Sequence, residues 1–246
     1  MTDAHCHVSY GDSSVRELLI GRDFFGVHPW DAVDGTSGTT GTTGTTGTSE
    51  TSRASVPDIP VVPDVSFLAS LRANLLAHPN AGVGEIGLDR LKSRDIPPLM
   101  REVFEAQLAL ALELGRPVVL HGAKCWGQVV AAVKRMVGGG LATSDGRQAF
   151  LFHGFSRSDG LIPEIVKLNG FISVGPAVLN DHAVNYRELV KKIPLDRLLV
   201  ETDRTSSSDS PPISDVLAKT ADILHLSVAE LERITDENAD RFLGAV

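Results

Sequence analysis

The chain of 246 residues has only two cysteines, Cys6 and Cys125. No disulfide framework can be built from them, and a reducing compartment is expected. No apolar run approaches the ~18 residues that span a bilayer. An apolar leader is lacking too, because the opening "MTDAHCHVSY" is polar and carries two histidines. A soluble cytoplasmic protein with no membrane partner is therefore expected. The nucleus stays open as a second compartment, although no basic cluster resembles a nuclear address. An excess of positive charge is also missing. A net charge of −8 argues against a protein that coats nucleic acid through a broad basic face. It leaves room for an enzyme that grips a few phosphates through metal ions. No G-x-G-x-x-G follows an early strand, which weakens a dinucleotide-binding fold.

What is present is an ordinary globular composition, 42% hydrophobic and 22% charged, able to bury a core. Short apolar runs read as strands: "DAHCH", "DFFGV", "NAGVGEIG", "RPVVLHG", "AFLFHGF", "GFISVG" and "DRLLVETD". Amphipathic stretches lie between them. Asp64 precedes "VSFLASLRANLLAH" as a cap, and Pro97 and Pro98 open "LMREVFEAQLALALELG", which Gly115 ends. "WGQVVAAVKRMVGGG", "SDGLIPEIVKLNG" and "AVNYRELVKKI" follow. "SVAELERI" carries a Ser227–Glu230 capping box, and "TDENADRFLG" reads as the last helix. Strands alternating with helices predict an α/β fold with a parallel sheet. At this length a closed TIM-like (β/α) barrel leads, with an open doubly wound sheet second. A single domain over 1–246 is expected. One segment differs from the rest: 35–55 reads "GTSGTTGTTGTTGTSETSRAS". With Ala54 as its only apolar residue, this insert is expected to be a disordered surface loop.

The polar residues fall in a pattern. Residues two apart in a strand point the same way, so Asp3, His5 and His7 share one face. Unpaired histidines would be costly inside a barrel, whereas a bound cation would satisfy them. Glu85, His121, His153 and Asp203 each lie in or close an apolar run and precede an expected helix. Barrel enzymes place their chemistry at those strand ends. One such residue alone would read as a satisfied hydrogen-bonding group. The conjunction of six reads as a metal set: His5, His7, Glu85, His121, His153 and Asp203. Three nitrogen or oxygen ligands suffice for one catalytic zinc. Six, two of them carboxylates able to bridge, point to two divalent ions ~3.5–4 Å apart. Zinc, manganese, iron and magnesium all fit such donors. His28 also follows a strand and is expected to face the same mouth, where it could donate to a phosphate or another substrate oxygen. His78, His182 and His225 read as capping or solvated residues. Cys6 points to the opposite face from His5 and His7 and is expected to pack.

At these residues the chain resembles the TatD-related deoxyribonucleases. The stretches are "DAHCH", "FGVHPW", "GEIGLD", "RPVVLHG", "LFHGFS", "LLVETD" and "ITDENADRFLG", in the family's order from residue 3 to residue 244. The resemblance implies a TIM-like barrel, a divalent metal centre and cleavage of DNA phosphodiester bonds, often from the 3′ end. It assigns His5 and His7 to the first metal and His121 and His153 to the second, with Glu85 as the bridge. Asp203 would bind the first metal and take the proton of the attacking water, and His28 would face the substrate phosphate. DNA ends or single-stranded DNA would be the substrate, with no obligate protein partner.

The chain departs from that pattern in three places. Only 20 residues separate His7 from His28, where a βαβ unit needs ~30 or more. One βα unit near the N-terminus is therefore expected to be lacking, and "VSYGDSSVRELLIGRDFF" can supply one short helix and one strand. Lys124 in "HGAKCWG" stands near where the family carries an arginine, and could serve as a phosphate-binding point charge. Arg204 replaces a small residue, and Thr205–Ser208 replace an apolar or aromatic one. Two other readings keep their place. One is an amidohydrolase-type enzyme acting on a lactone, amide or phosphate monoester. The other is an inactive truncated homologue that serves as a binding partner.

Overall fold

The computed structural model describes residues 1–34, 65–141, 148–206 and 210–244. The Gly/Thr-rich insert, the expected cap at Asp64 and part of Thr205–Ser208 lie outside these residues. Among the described residues, eight parallel strands follow one another around a TIM-like barrel: β1 (Thr2–Cys6), β2 (Arg16–Leu19), β3 (Phe24–Phe25), β4 (Gly82–Asp89), β5 (Val118–Ala123), β6 (Phe150–Phe152), β7 (Gly170–Val174) and β8 (Leu198–Val200). β3 to β8 form one sheet in sequence order, and β1 pairs with β2. Two seams join these pieces. An isolated bridge pairs Ile20 with Phe24. At the other seam Asp203 N–H donates to the His5 carbonyl (3.0 Å) and His7 N–H to the Arg204 carbonyl (2.8 Å).

The shortening expected near the N-terminus is real, but it falls on helices and not on strands. The stretch between His7 and His28 holds two short strands and no helix. The stretch expected to supply one short helix and one strand supplies two strands, and Arg16–Leu19 as a helix would be too short to cover a sheet face. Extended, it can pair its backbone with β1 from Thr2↔Arg16 to Cys6↔Leu19. That pairing answers the demand for satisfied backbone groups.

The remaining strands alternate with helices as expected. α1 (Pro29–Asp34) and α2 (Val65–Ala77) precede β4, α3 (Pro98–Glu113) precedes β5, and α4 (Trp126–Met136) precedes β6. α5 (Ile162–Lys167), α6 (Val184–Val190), α7 (Ile213–Leu224) and α8 (Val228–Leu243) complete the layer. α7 has no counterpart in the sequence reading. The two tail segments read separately from sequence are one helix. Ser227 caps α8 by accepting the Glu230 N–H (3.2 Å), and Gly244 ends it at φ 70°.

α3 starts on a proline at its first position, where no N–H is needed, and buries Met100, Val103, Phe104, Gln107, Leu108 and Ala111 at helical spacing. α8 buries Leu231, Thr235, Asn238, Ala239 and Phe242 by the same rule. Its Phe242 ring lies 5.8 Å from Phe24 and 6.0 Å from Phe171, in a cluster with apolar strand residues such as Val119, Leu151 and Leu199. The closed end of the barrel is therefore apolar. Truncating Phe242 to Ala would cost about 3–5 kcal/mol. His7, His121, His153 and Asp203 lie in the C-terminal halves of their strands or just beyond them.

Candidate metal centre

β1 delivers His5 into the barrel, fully buried, and His7 just past its end. Asp3, on the same strand face, does something else. Its carboxylate accepts the Thr202 N–H (3.0 Å) and Thr202 Oγ1–H (2.6 Å), tying β1 to the end of β8. Burial pushes its carboxyl up to about 6 against those two bonds. Cys6 is buried on the opposite face, as alternation requires, and Cys125 is buried as well.

β4 is buried along its whole length and carries Glu85 into the centre. A side chain at Gly87, φ 157°, would collide with the His121 carbonyl, so glycine lets β4 and β5 approach there. The two oxygens of Glu85 face different partners. Oε2 lies 3.4 Å from His5 Nε2 and 3.3 Å from His7 Nε2. Asp203 Oδ1 completes that side, 3.5 Å from His5 Nε2 and 3.6 Å from His7 Nε2. Oε1 lies 2.5 Å from His121 Nδ1 and 2.6 Å from His153 Nε2, and those two nitrogens are 3.3 Å apart.

The first set of distances is what one small cation would require. Two donors bonded to a tetrahedral ion at zinc distances sit about 3.3–3.4 Å apart. As hydrogen bonds, contacts of this length are poor. Both ring nitrogens of the buried His5 are left without a hydrogen-bond partner, and so is His153 Nδ1. Orphaned buried nitrogens call for a missing ligand. Three groups here bring donor atoms within 4.8 Å of one another: His5, Glu85 and His153; His5, His7 and Asp203; and His28, Glu85 and His121. Imidazole and carboxylate donors suit zinc, manganese or iron. The residues present therefore fit divalent cations.

The electrostatics agree. Burial alone would raise the Glu85 carboxyl. The charge of His153, with hydrogen bonds from His121 and His153, holds it well below the usual carboxylate range. Burial presses the His153 imidazole down, but Glu85 and Glu201 carry it well above the ordinary value. His7, opposed by burial and raised by the facing carboxylates of Asp203 and Glu85, reaches about 9. Asp203 falls far below its usual range despite burial, through His5 and His7. Two carboxylates thus draw positive charge into the cluster, and a divalent cation can supply it in place of protons.

All six residues expected as ligands come together at one end of the barrel. His28 joins them, its Nε2 3.8 Å from Glu85 Oε1. Its Nδ1 accepts the Trp30 N–H (3.2 Å), which leaves Nε2 to carry the proton. Burial lowers the His28 pKa. Lys124 is apart from the cluster: it is exposed just beyond β5, at φ 57°. Asp203 is half-exposed at the mouth and takes φ 51°, an uncommon conformation for a non-glycine residue. Arg204 lies over the Tyr10 ring at 4.0 Å, beside the mouth. His78, His182 and His225 are exposed and lie away from the site.

Three further polar side chains lie against this set or the backbone beside it, and none of them is assigned from sequence. Asp89 Oδ2 holds His121 Nε2 at 2.9 Å. Gln107, buried on α3, accepts the Val27 N–H (2.7 Å) and donates to the Val27 carbonyl (3.1 Å), fixing the backbone beside His28. Glu201 lies behind His153. Asp89 and Glu201 were within reach of the sequence, each a carboxylate at the end of a strand that already carries a candidate ligand. Nothing in the sequence singles out Gln107.

The family model for TatD related DNase matches residues 22–244. The chain belongs to this family. It is 31% identical over 179 residues to a Bacillus subtilis protein named uncharacterized metal-dependent hydrolase YabD, covering 68% of this chain and 67% of that one. It is 30% identical over 176 residues to the 3′-5′ ssDNA/RNA exonuclease TatD of Klebsiella pneumoniae, covering 66% of this chain and 64% of that one. The match therefore spans just under two thirds of the exonuclease's length. Among solved structures, the TatD homologue YjjV of Escherichia coli superposes with a TM-score of 0.61 at 24% identity, over 73% of this chain and 70% of that one. This agreement supports the TatD-like barrel fold. No helix among the described residues is long and apolar enough to cross a membrane.

Proposed function

We propose that this TatD-family chain is a metal-dependent nuclease that hydrolyses phosphodiester bonds at the ends of single-stranded nucleic acid, DNA first among them. The observation that carries the reading is Glu85. One carboxylate presents Oε2 to His5 and His7 and Oε1 to His121 and His153. A carboxylate so placed would be shared by the two ligand sets. His5, His7 and Asp203 would hold one ion with Glu85, and His121 and His153 would hold the other. Divalent ions at such a site supply Lewis acidity and lower the pKa of a nearby water toward ~7.

The chain's own residues would do the rest. Asp203, ionised and open to the mouth, accepts the proton of the attacking water at its carboxylate. The water oxygen forms the new bond to phosphorus as the bond from phosphorus to the leaving nucleoside oxygen breaks, and that oxygen takes up a proton. His28, with Nε2–H free of the Trp30 contact, donates to a phosphate oxygen. Lys124, exposed beyond β5, adds a point charge for the next phosphate. The net charge of −8 suits an enzyme that holds strand ends through its metals better than one that coats long duplex. The relative named as an ssDNA/RNA exonuclease makes RNA the natural competitor to DNA.

The test is digestion of end-labelled single-stranded DNA and RNA, with magnesium, manganese and zinc each restored after chelation. Metal-dependent laddering by wild type, lost in Asp203→Asn, supports the reading. A folded, metal-loaded protein that cleaves neither polymer would move the assignment to another ester or amide substrate.

A further inference from the structure

Glu201 is a buried carboxylate outside the six expected ligands. It is 1% exposed, at the end of β8, and its N–H donates to the Val174 carbonyl (3.0 Å). Its Oε1 accepts the Gly154 N–H (2.7 Å) and its Oε2 accepts the buried Ser173 Oγ–H (2.5 Å). No lysine or arginine among the described residues pairs with it. Burying a carboxyl group is costly unless its oxygens are used by polar groups nearby. A third polar group beside it is the His153 ring, whose Nδ1 lies 3.7 Å from Oε1. That nitrogen has no hydrogen-bond partner, while Nε2 of the same ring stands 2.6 Å from Glu85. The ring therefore lies between two carboxylates, one facing each nitrogen. The surroundings fix Glu201 more firmly than they fix the ring. Its oxygens are held from β7 by Ser173 and from the turn after β6 by Gly154, which sits at φ 57°.

We propose that Glu201 is the positioning residue of His153: it holds the Nδ1 side of the ring so that Nε2 points into the cluster beside Glu85. The proposal rests on His153 being a metal ligand, as read above. A carboxylate behind a ligating histidine orients the ring and raises its basicity, and losing one typically weakens metal binding by roughly 10–100-fold. The competing role is a strut that merely ties β6, β7 and β8 together.

Two variants separate these roles. Glu201→Gln can keep the hydrogen bonds to Gly154 and Ser173 while losing the charge, and Glu201→Ala removes both. Zinc and manganese affinities of the full chain would be measured by competition with a chelating dye, alongside crystal structures of the metal-free variants. We expect Glu201→Gln to keep its melting temperature and lose roughly 10-fold in affinity for one of two ions, and Glu201→Ala to lose more. We expect the His153 ring to turn away from Glu85 in Glu201→Ala. A Glu201→Gln protein that binds both ions as wild type does, with the ring unmoved, would overturn the proposal and leave the strut. If Glu201→Ala does not fold, affinity and ring position in Glu201→Gln decide alone. If wild type binds neither zinc nor manganese, the metal-centre reading fails. The ring position in the metal-free variants then still decides what Glu201 does.

Discussion

Asp89 Oδ2 stands 2.9 Å from His121 Nε2, at the ring nitrogen opposite the one that meets Glu85. The second oxygen of Asp89 accepts the Leu91 N–H at 2.6 Å, so the carboxylate is itself anchored. It fixes which nitrogen of His121 turns toward the cluster. Asp89→Asn keeps the anchor and loses the charge. The expected outcome is a folded protein with roughly 10-fold weaker metal binding, read by dye competition. Unchanged affinity would reduce Asp89 to a loop contact.

Removing metal should destabilise the protein. An ion bound only by the folded state, at a concentration 100 times its Kd, stabilises it by about 2.7 kcal/mol. For a chain of this size that corresponds to a melting temperature higher by roughly 5–11 °C. Scanning calorimetry with and without chelator measures it. His5, with both ring nitrogens unpartnered in the absence of an ion, is the physical reason to expect the loss. A chelator-insensitive transition would mean that the cluster folds equally well around protons.

Asp203 separates binding from chemistry. It is half-exposed, whereas Glu85 is buried. Asp203→Asn retains the shape and loses the proton acceptor, so cleavage should fall by roughly 10²–10⁴-fold. His5, His7 and Glu85 remain to hold an ion. Metal content of the purified variant, set beside its cleavage rate, tests this. Loss of both together would make Asp203 a ligand first.

Much of this was legible in the sequence for a simple reason. Parallel strands buried on both faces are near-continuous apolar runs, so a histidine or carboxylate at the end of one stands out. His121, His153 and Asp203 were found that way, and Asp3, His5 and His7 were put on one face by period two. That same rule could not say that Asp3 would bind Thr202 and leave the cluster, because the partner lies 199 residues away. β2 was missed because Arg16–Leu19 has the composition of a helix, and only pairing with β1 makes it a strand. Gln107 was missed because a single polar residue on an apolar helix face has no local signature. Its partner, Val27, is 80 residues distant.

Gln107 offers a test of how His28 is held. Its side-chain amide makes both hydrogen bonds of the Val27 backbone, the work of a neighbouring strand. Gln107→Leu would leave a buried N–H and C=O unpaired, at about 1–3 kcal/mol for each group. Denaturant unfolding should show the loss. Cleavage should fall as well, because the backbone that aims His28 is released. Gln107→Glu should restore only the bond from the Val27 N–H.

Tyr186 gives the protein a sensitivity to alkali. Its hydroxyl is buried on α6, and its oxygen accepts the Gly175 N–H at 3.0 Å. Burial pushes the phenol pKa up, against the Gly175 bond and with some help from Glu201. A folded-state pKa above the unfolded value of about 10 has a definite sign. The tyrosine's contribution to stability is complete below about pH 10 and is lost as pH rises toward the folded value, because the unfolded chain releases the proton first. Melting temperature should therefore decline above pH 10 in wild type and decline less steeply in Tyr186→Phe. At neutral pH the same variant should be less stable by about 1–3 kcal/mol, since the Gly175 N–H loses its acceptor. With only Tyr10 and Tyr186 in the chain, absorbance titration can follow the two phenols directly. Ionisation of both tyrosines near pH 10 without unfolding would show that the Tyr186 hydroxyl reaches water.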